Sequence, residues 1–250
     1  MKVNILVVQT PPLLRLQMRA NPKLFKIRKH SVTLHKSNTF LIKSFHIGSR
    51  FNISLKVRKE SQKDVDWYKN MIKLSFYLSG MGKRVRRARG CVMLYDSKEM
   101  TVDQTKAEIL TLLNKITDSN PEISNPIYIL DKNEIKPTVL SQQYNKTEKR
   151  PLIQKIVFGK NFNEEKLNGY LRKVDEAGHW IKKQQKETDV DPTGDKDLAS
   201  AIIVSLTKIG TDYLPIYTYV KAIYKREEYD VELSRRSEFQ NMIERKEMKK

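Results

Sequence analysis

No aspartate or glutamate occurs before Glu60, although thirteen lysines and arginines do. A segment so short of one sign of charge has no counter-ions of its own, which points to an anionic partner. Cysteine is nearly absent as well. Cys91 stands alone, which rules out an intramolecular disulfide and any cysteine-rich zinc module. No run of about 18 apolar residues exists, so no membrane-spanning segment is expected. The short apolar run Ile5–Val8 is broken by Gln9 and Thr10, too early for the apolar region of a secretion signal. The expectation is a cytoplasmic protein without a membrane partner. At 39% hydrophobic residues the chain can still bury a core, which argues against wholesale disorder.

The net charge of +19 is concentrated. Residues 1–90 hold 21 basic and 3 acidic residues, and the remaining 160 hold 27 and 26. The excess therefore lies in the first third, as a footprint for nucleic acid would. A basic face that docks acidic proteins is the competing reading.

That third ends in Gly80-Met81-Gly82-Lys83-Arg84-Val85-Arg86-Arg87-Ala88-Arg89-Gly90. Lys83, Arg84, Arg86, Arg87 and Arg89 are the cations, and Gly80, Gly82 and Gly90 bracket them. Glycine allows a tight turn and close approach of backbone to a ligand. A phosphate loop of the Walker type needs Ser or Thr after Gly-Lys, but Arg84 follows Lys83. The dinucleotide fingerprint needs a preceding strand and an earlier third glycine. Arginine's planar fork matches phosphate oxygens and stacks on exposed bases, so these residues suit an RNA backbone. Contacts of that kind position a strand without reading its sequence.

Alternating apolar residues predict strands over 39–46 and 50–57, with a turn at Gly48-Ser49. A further strand is read at 3–8. Helical spacing predicts helices over 64–78, over 102–116 with Thr101 as N-cap, and over 164–186. Strands are expected at 91–95, 152–158, 200–207 and 213–220, the last two joined by Gly210-Thr211-Asp212. Residues 118–151 carry four prolines and read as an irregular insertion, with a short strand at 127–130. Residues 187–197 form an acidic polar loop, and 229–248 a charged helix. The class is α+β. The order from residue 50 matches a ferredoxin-like (RRM-like) βαββαβ domain with insertions and a Gly-rich basic loop. Three segments follow: a basic segment at 1–49, read as a remnant of a first ferredoxin-like domain; the main domain at 50–222, with its insertion at 118–151; and a charged helix and tail at 223–250.

At the basic loop the chain resembles the RAMP superfamily of CRISPR effector proteins. Within it the likeness is to the first-numbered subunits of the Cmr (type III-B) complex. Their loop reads Gly-x-Gly-x-Arg-x-Arg-Arg-Gly-Phe-Gly, and Gly80, Gly82, Arg84, Arg86, Arg87 and Gly90 match it. Ala88 and Arg89 replace the Gly-Phe pair. A second likeness is Leu198-Ala199-Ser200-Ala201, where Ala201 stands for the family's proline, followed by Tyr213-Leu214-Pro215-Ile216. The family's N-terminal Arg-Gly-x-Leu-Arg motif has no counterpart, and Thr10-Pro11 is only a vestige of its Thr-Pro segment. The chain thus resembles the C-terminal portion of the family, or a short or divergent member. The resemblance implies a non-catalytic subunit that contacts guide RNA and target RNA beside other RAMP subunits, in antiviral defence. It implies no cofactor.

Some RAMP proteins cleave guide precursors without metal, and that is the alternative. His30 and His35 lie in the basic third, where they could serve as general acid and base. His46 and His179 complete the histidines. No spacing of His, Asp or Glu suggests a metal site. Asp189, Asp191, Asp195 and Asp197 lack the pattern of a calcium loop.

Overall fold

In the computed structural model the described residues are 14–20, 27–34, 38–45, 51–57, 64–81, 86–94, 100–117, 126–138, 152–183, 202–221 and 233–245. The expected strand at 3–8 and the acidic loop at 187–197 lie outside them. The chain divides into two compact units, residues 1–69 and 70–250.

The first unit is built from strands β1 (Leu14–Ala20), β2 (Ile27–Leu34), β3 (Asn38–Phe45) and β4 (Phe51–Val57). The pairing is nested. β2 and β3 form an inner antiparallel hairpin, while β1 and β4 form an outer antiparallel ribbon. The strands expected at 39–46 and 50–57 are thus present, but each pairs with an earlier strand.

Helix α1 (Val65–Leu78) begins where the Asp64 carboxylate accepts the Trp67 N–H at 2.6 Å, as an N-cap does. Helix α2 (Val102–Thr117) opens on a reciprocal capping box. Thr101 Oγ1 accepts the Gln104 N–H, and Gln104 Oε1 accepts the Thr101 N–H.

The second unit is organised by an antiparallel sheet. Its strands are β5 (Tyr128–Asp131), β6 (Glu134–Pro137), β7 (Leu152–Phe158), the two-residue β8 (Phe162–Asn163), β9 (Ile202–Ile209) and β10 (Asp212–Lys221). The order is β5-β6-β7-β10-β9, with β8 paired to the start of β10. A single 3-10 turn, Glu164–Lys166, leads into α3 (Leu167–Lys183). Helix α4 (Leu233–Glu244) follows β10. β7 and β9 run parallel to one another with β10 between them, and α3 lies between β7 and β9 in the chain.

Both faces of the central strand are covered, since β10 is buried without a break from Leu214 to Tyr219. Tyr217 and Tyr219 pack with Ile202, Val204 and Leu206 of β9 against α3 and α4. α3 contributes Leu167, Tyr170, Val174 and Ala177, a helical stripe, and α4 contributes Phe239, Met242 and Ile243. Fully burying one such aliphatic side chain stabilises the fold by about 1.5–3 kcal/mol. On the opposite face, Ser205 Oγ donates to the Tyr77 carbonyl of α1 at 2.6 Å. The tyrosine hydroxyls in this core are satisfied. Tyr170 and Tyr217 share a hydrogen bond of 3.0 Å, Tyr217 donates to Glu244 and Tyr219 to Gln240. Burial and the neighbouring Glu244 push the Tyr217 phenol well above its ordinary pKa. The charged helix expected near the C-terminus is therefore a core element on one of its faces.

Two expectations change. No strand forms over residues 91–94, because the chain touches β9 for a single bridge and then turns away through Ala88 and Gly90, both at positive φ. The proposed irregular insertion contributes a hairpin, β5–β6, which extends the sheet through β7. It turns at Lys132-Asn133 and is held by Asn114, whose side chain accepts the Tyr128 N–H and donates to the Tyr128 carbonyl. Four residues per strand are too few for a clear period in the sequence.

Candidate nucleic-acid interface

The basic segment leaves α1 and returns through a neck made by two of its glycines. The Met81 N–H donates to the Gly90 carbonyl at 2.8 Å. A Cβ on Gly80 would stand 2.5 Å from the Gly90 oxygen, and one on Gly90 would stand 2.1 Å from the Met81 oxygen. Gly90 also has φ of +70°. Backbone crosses backbone here with no room for a side chain, so this neck requires glycine on both sides.

The returning limb is tied down at two further points, a bridge to β9 with its two hydrogen bonds and a contact of Cys91. Arg87 forms a parallel bridge with Val204 on the edge of β9. The Ala88 N–H donates to the Val204 carbonyl, and the Val204 N–H to the Arg86 carbonyl, at 2.7 and 2.9 Å. Ala88 is buried in the core at φ of +53°, a conformation glycine adopts more readily. Beyond the neck, Cys91 Sγ accepts the Leu206 N–H at 3.2 Å. Burial pushes the Cys91 thiol up to about 11, so it is a structural acceptor rather than a nucleophile.

The arginines divide into two groups. Arg89 donates to Asp175 of α3 at 2.6 Å, in a half-exposed ion pair. The Arg87 guanidinium lies along α3 at Gly178, 3.4 Å from where a Cβ would stand. Both are turned toward α3 and anchor the loop. Arg86 is half-buried at the start of the docked limb. Gly82, Lys83 and Arg84 lie outside the described residues, between the neck and the docked limb in sequence. The structure thus brings Gly80, Arg86, Arg87, Arg89 and Gly90 into one anchored element. Asp175, Gly178 and Val204 complete it, and sequence reasoning missed all three. They lie more than 80 residues from the loop, and no local pattern marks a residue as the acceptor of a distant arginine.

His30 stands opposite Ile42 in the β2–β3 register, and His35 and His46 lie outside the described residues. Among the described residues no group of three or more His, Cys, Asp or Glu could hold a metal ion. No described helix is long and apolar enough to cross a membrane.

Fold and loop define an α+β protein with a sheet-anchored cationic loop. No protein-family model, curated protein or solved structure matches the chain.

Proposed function

We propose that this chain is a non-catalytic RNA-binding subunit of a type III-B CRISPR (Cmr) effector complex, contacting guide and target RNA through the loop between Gly80 and Gly90. One observation carries the reading. In a run with five cations in seven residues, the described limb Arg86–Gly90 is joined to Met81 at a glycine neck and bridged to β9. Pre-ordered backbone lowers the entropic cost of binding an anion. The resemblance to RAMP proteins is supported by Ala88, whose positive φ falls where that family carries glycine. It is supported too by the order β6-β7-β10-β9. β7, α3, β9, β10 and α4 in chain order are compatible with a ferredoxin-like plan, in which β6, although it precedes β7 in the chain, takes the place of the last strand.

The loop's division of labour fixes the test. Arg87 and Arg89 lie against α3, and the first three cations of the run, Lys83, Arg84 and Arg86, are the ones we assign to phosphate. Replacing these three by glutamine should lower the salt dependence of single-strand binding by about 2 in logarithmic slope, at about 0.7 per contact. The tagged protein recovered from its own cells should carry guide RNAs of uniform length together with other RAMP subunits. Recovery of heterogeneous RNA, or of none, would overturn the effector assignment.

A further inference from the structure

The β1–β4 ribbon sorts its residues by face. Its register pairs Leu14 with Val57, Leu16 with Leu55, Met18 with Ile53 and Ala20 with Phe51. Between them fall Arg15 with Lys56, Gln17 with Ser54 and Arg19 with Asn52. Alternation along a strand puts the four apolar pairs on one face and the three polar pairs on the other. Ile53 is 5% exposed, so the apolar face is the covered one.

The polar face has a cost built into it. Arg15 stands directly opposite Lys56, and like charges opposed across an antiparallel pair destabilise the ladder. The inner hairpin repeats the arrangement, with Lys29 opposite Lys43. The β5–β6 hairpin shows how such a pair is settled from within. There Asp131 stands opposite Glu134, but Lys136 bonds Asp131 and Lys155 lies 3.8 Å from Glu134. β1 to β4 and the segments joining them contain no acid that could do the same.

We propose that the face carrying Arg15, Arg19 and Lys56 is a second RNA-binding surface, which takes the phosphodiester backbone of a single strand. Arg15 and Arg19 stand four residues apart on β1, roughly 13.6 Å along the strand, with Lys56 opposite Arg15, so an extended chain of phosphates can lie along this face. Gln17, Ser54 and Asn52 add groups able to bond phosphate or sugar oxygens. No aromatic residue shares this face, so the surface grips without reading bases. The proposal rests on the reading of the chain as RNA-binding, but not on the loop.

The test titrates the full chain with fluorescein-labelled single-stranded RNA of mixed sequence over a range of salt. Replacing Arg15, Arg19 and Lys56 together by glutamine should lower the logarithmic salt slope by about 2, additively with the loop variant. Without RNA, the same variant should melt at an unchanged or higher temperature, because a repulsion is removed. Lys56→Glu should raise the melting temperature further, by pairing with Arg15, while weakening RNA binding. An unchanged slope in the ribbon variant, with the loop variant still lowering it, overturns the second surface and leaves the loop reading standing. A lowered slope in the ribbon variant alone supports this surface and overturns the loop reading. A lower melting temperature in Lys56→Glu means that the face is already neutralised and overturns the proposal. Tighter binding to phosphatidylserine vesicles than to RNA through the same three residues overturns it in favour of a membrane surface.

Discussion

The sheet of the second unit and the ribbons of the first differ in the charges they hold. In residues 70–250 several described cations of the sheet and its helices have an acid near them: Arg89 with Asp175, Lys136 with Asp131, Lys155 with Glu134, Arg172 with Glu176 and Lys208 with Glu164. In the ribbons of residues 14–57 cations stand opposite cations, and no acid occurs among them. A fold gains little from exposed ion pairs, so the contrast says less about stability than about where an outside charge is needed. The loop stands between the two regimes, with part of its arginine set used on α3 and the rest assigned to a ligand.

The largest effect is expected at the neck. Gly90→Ala forces a methyl group into the Met81 carbonyl at a positive φ, and should cost about 3 kcal/mol or more. A fall in the urea midpoint of the second unit checks it, and a wild-type midpoint would mean that the loop is not held closed there.

Next comes the pH dependence set by Cys91. Burial raises its thiol from 9.0 to about 11, so the folded state holds this proton more tightly than the unfolded chain. The contribution is complete below pH 9 and is lost as the pH rises through about 11. It amounts to about 2–3 kcal/mol by linkage. The stability difference between wild type and Cys91→Ala should change by that amount across this window. A constant difference would place Cys91 in contact with water.

Smaller effects address the charge contrast directly. Lys155→Met leaves Glu134 facing Asp131 without its lysine, and should destabilise by at most about 1 kcal/mol. Lys56→Glu in the β1–β4 ribbon should have the opposite sign and stabilise by a few tenths of a kcal/mol, because a like-charge pair becomes an opposite one. If thermal melts gave both substitutions the same sign, the two units would not differ in the way described.

Most of the regular structure was legible where the period was long. α1, α2 and β7 lie within a residue or two of their expected limits, because each repeats its apolar residues over several turns or pleats. Thr101 was recognised as a cap because its chemistry is local. The failures share a cause. The segment after the loop is apolar and reads as a strand, yet two residues at positive φ turn it off the sheet after one bridge. β5 lies within a residue of the short strand expected at 127–130, but its partner β6 is too short to show a period, and the hairpin is held by Asn114 from a neighbouring helix.

The loop divides along the same line. Its glycines, its cations and the lack of nearby acid are facts of composition and order, and they marked both the segment and the class of ligand it suits. Which arginines would serve the fold was decided by Asp175, Gly178 and Val204, distant in the chain and adjacent in space. The sequence by itself determined the sign and crowding of the charge, because these are sums over neighbours along the chain. Only the tertiary structure decided which charges are balanced from within, because a counter-ion is chosen by distance in space, and the strand register that opposes Arg15 to Lys56 is a long-range pairing.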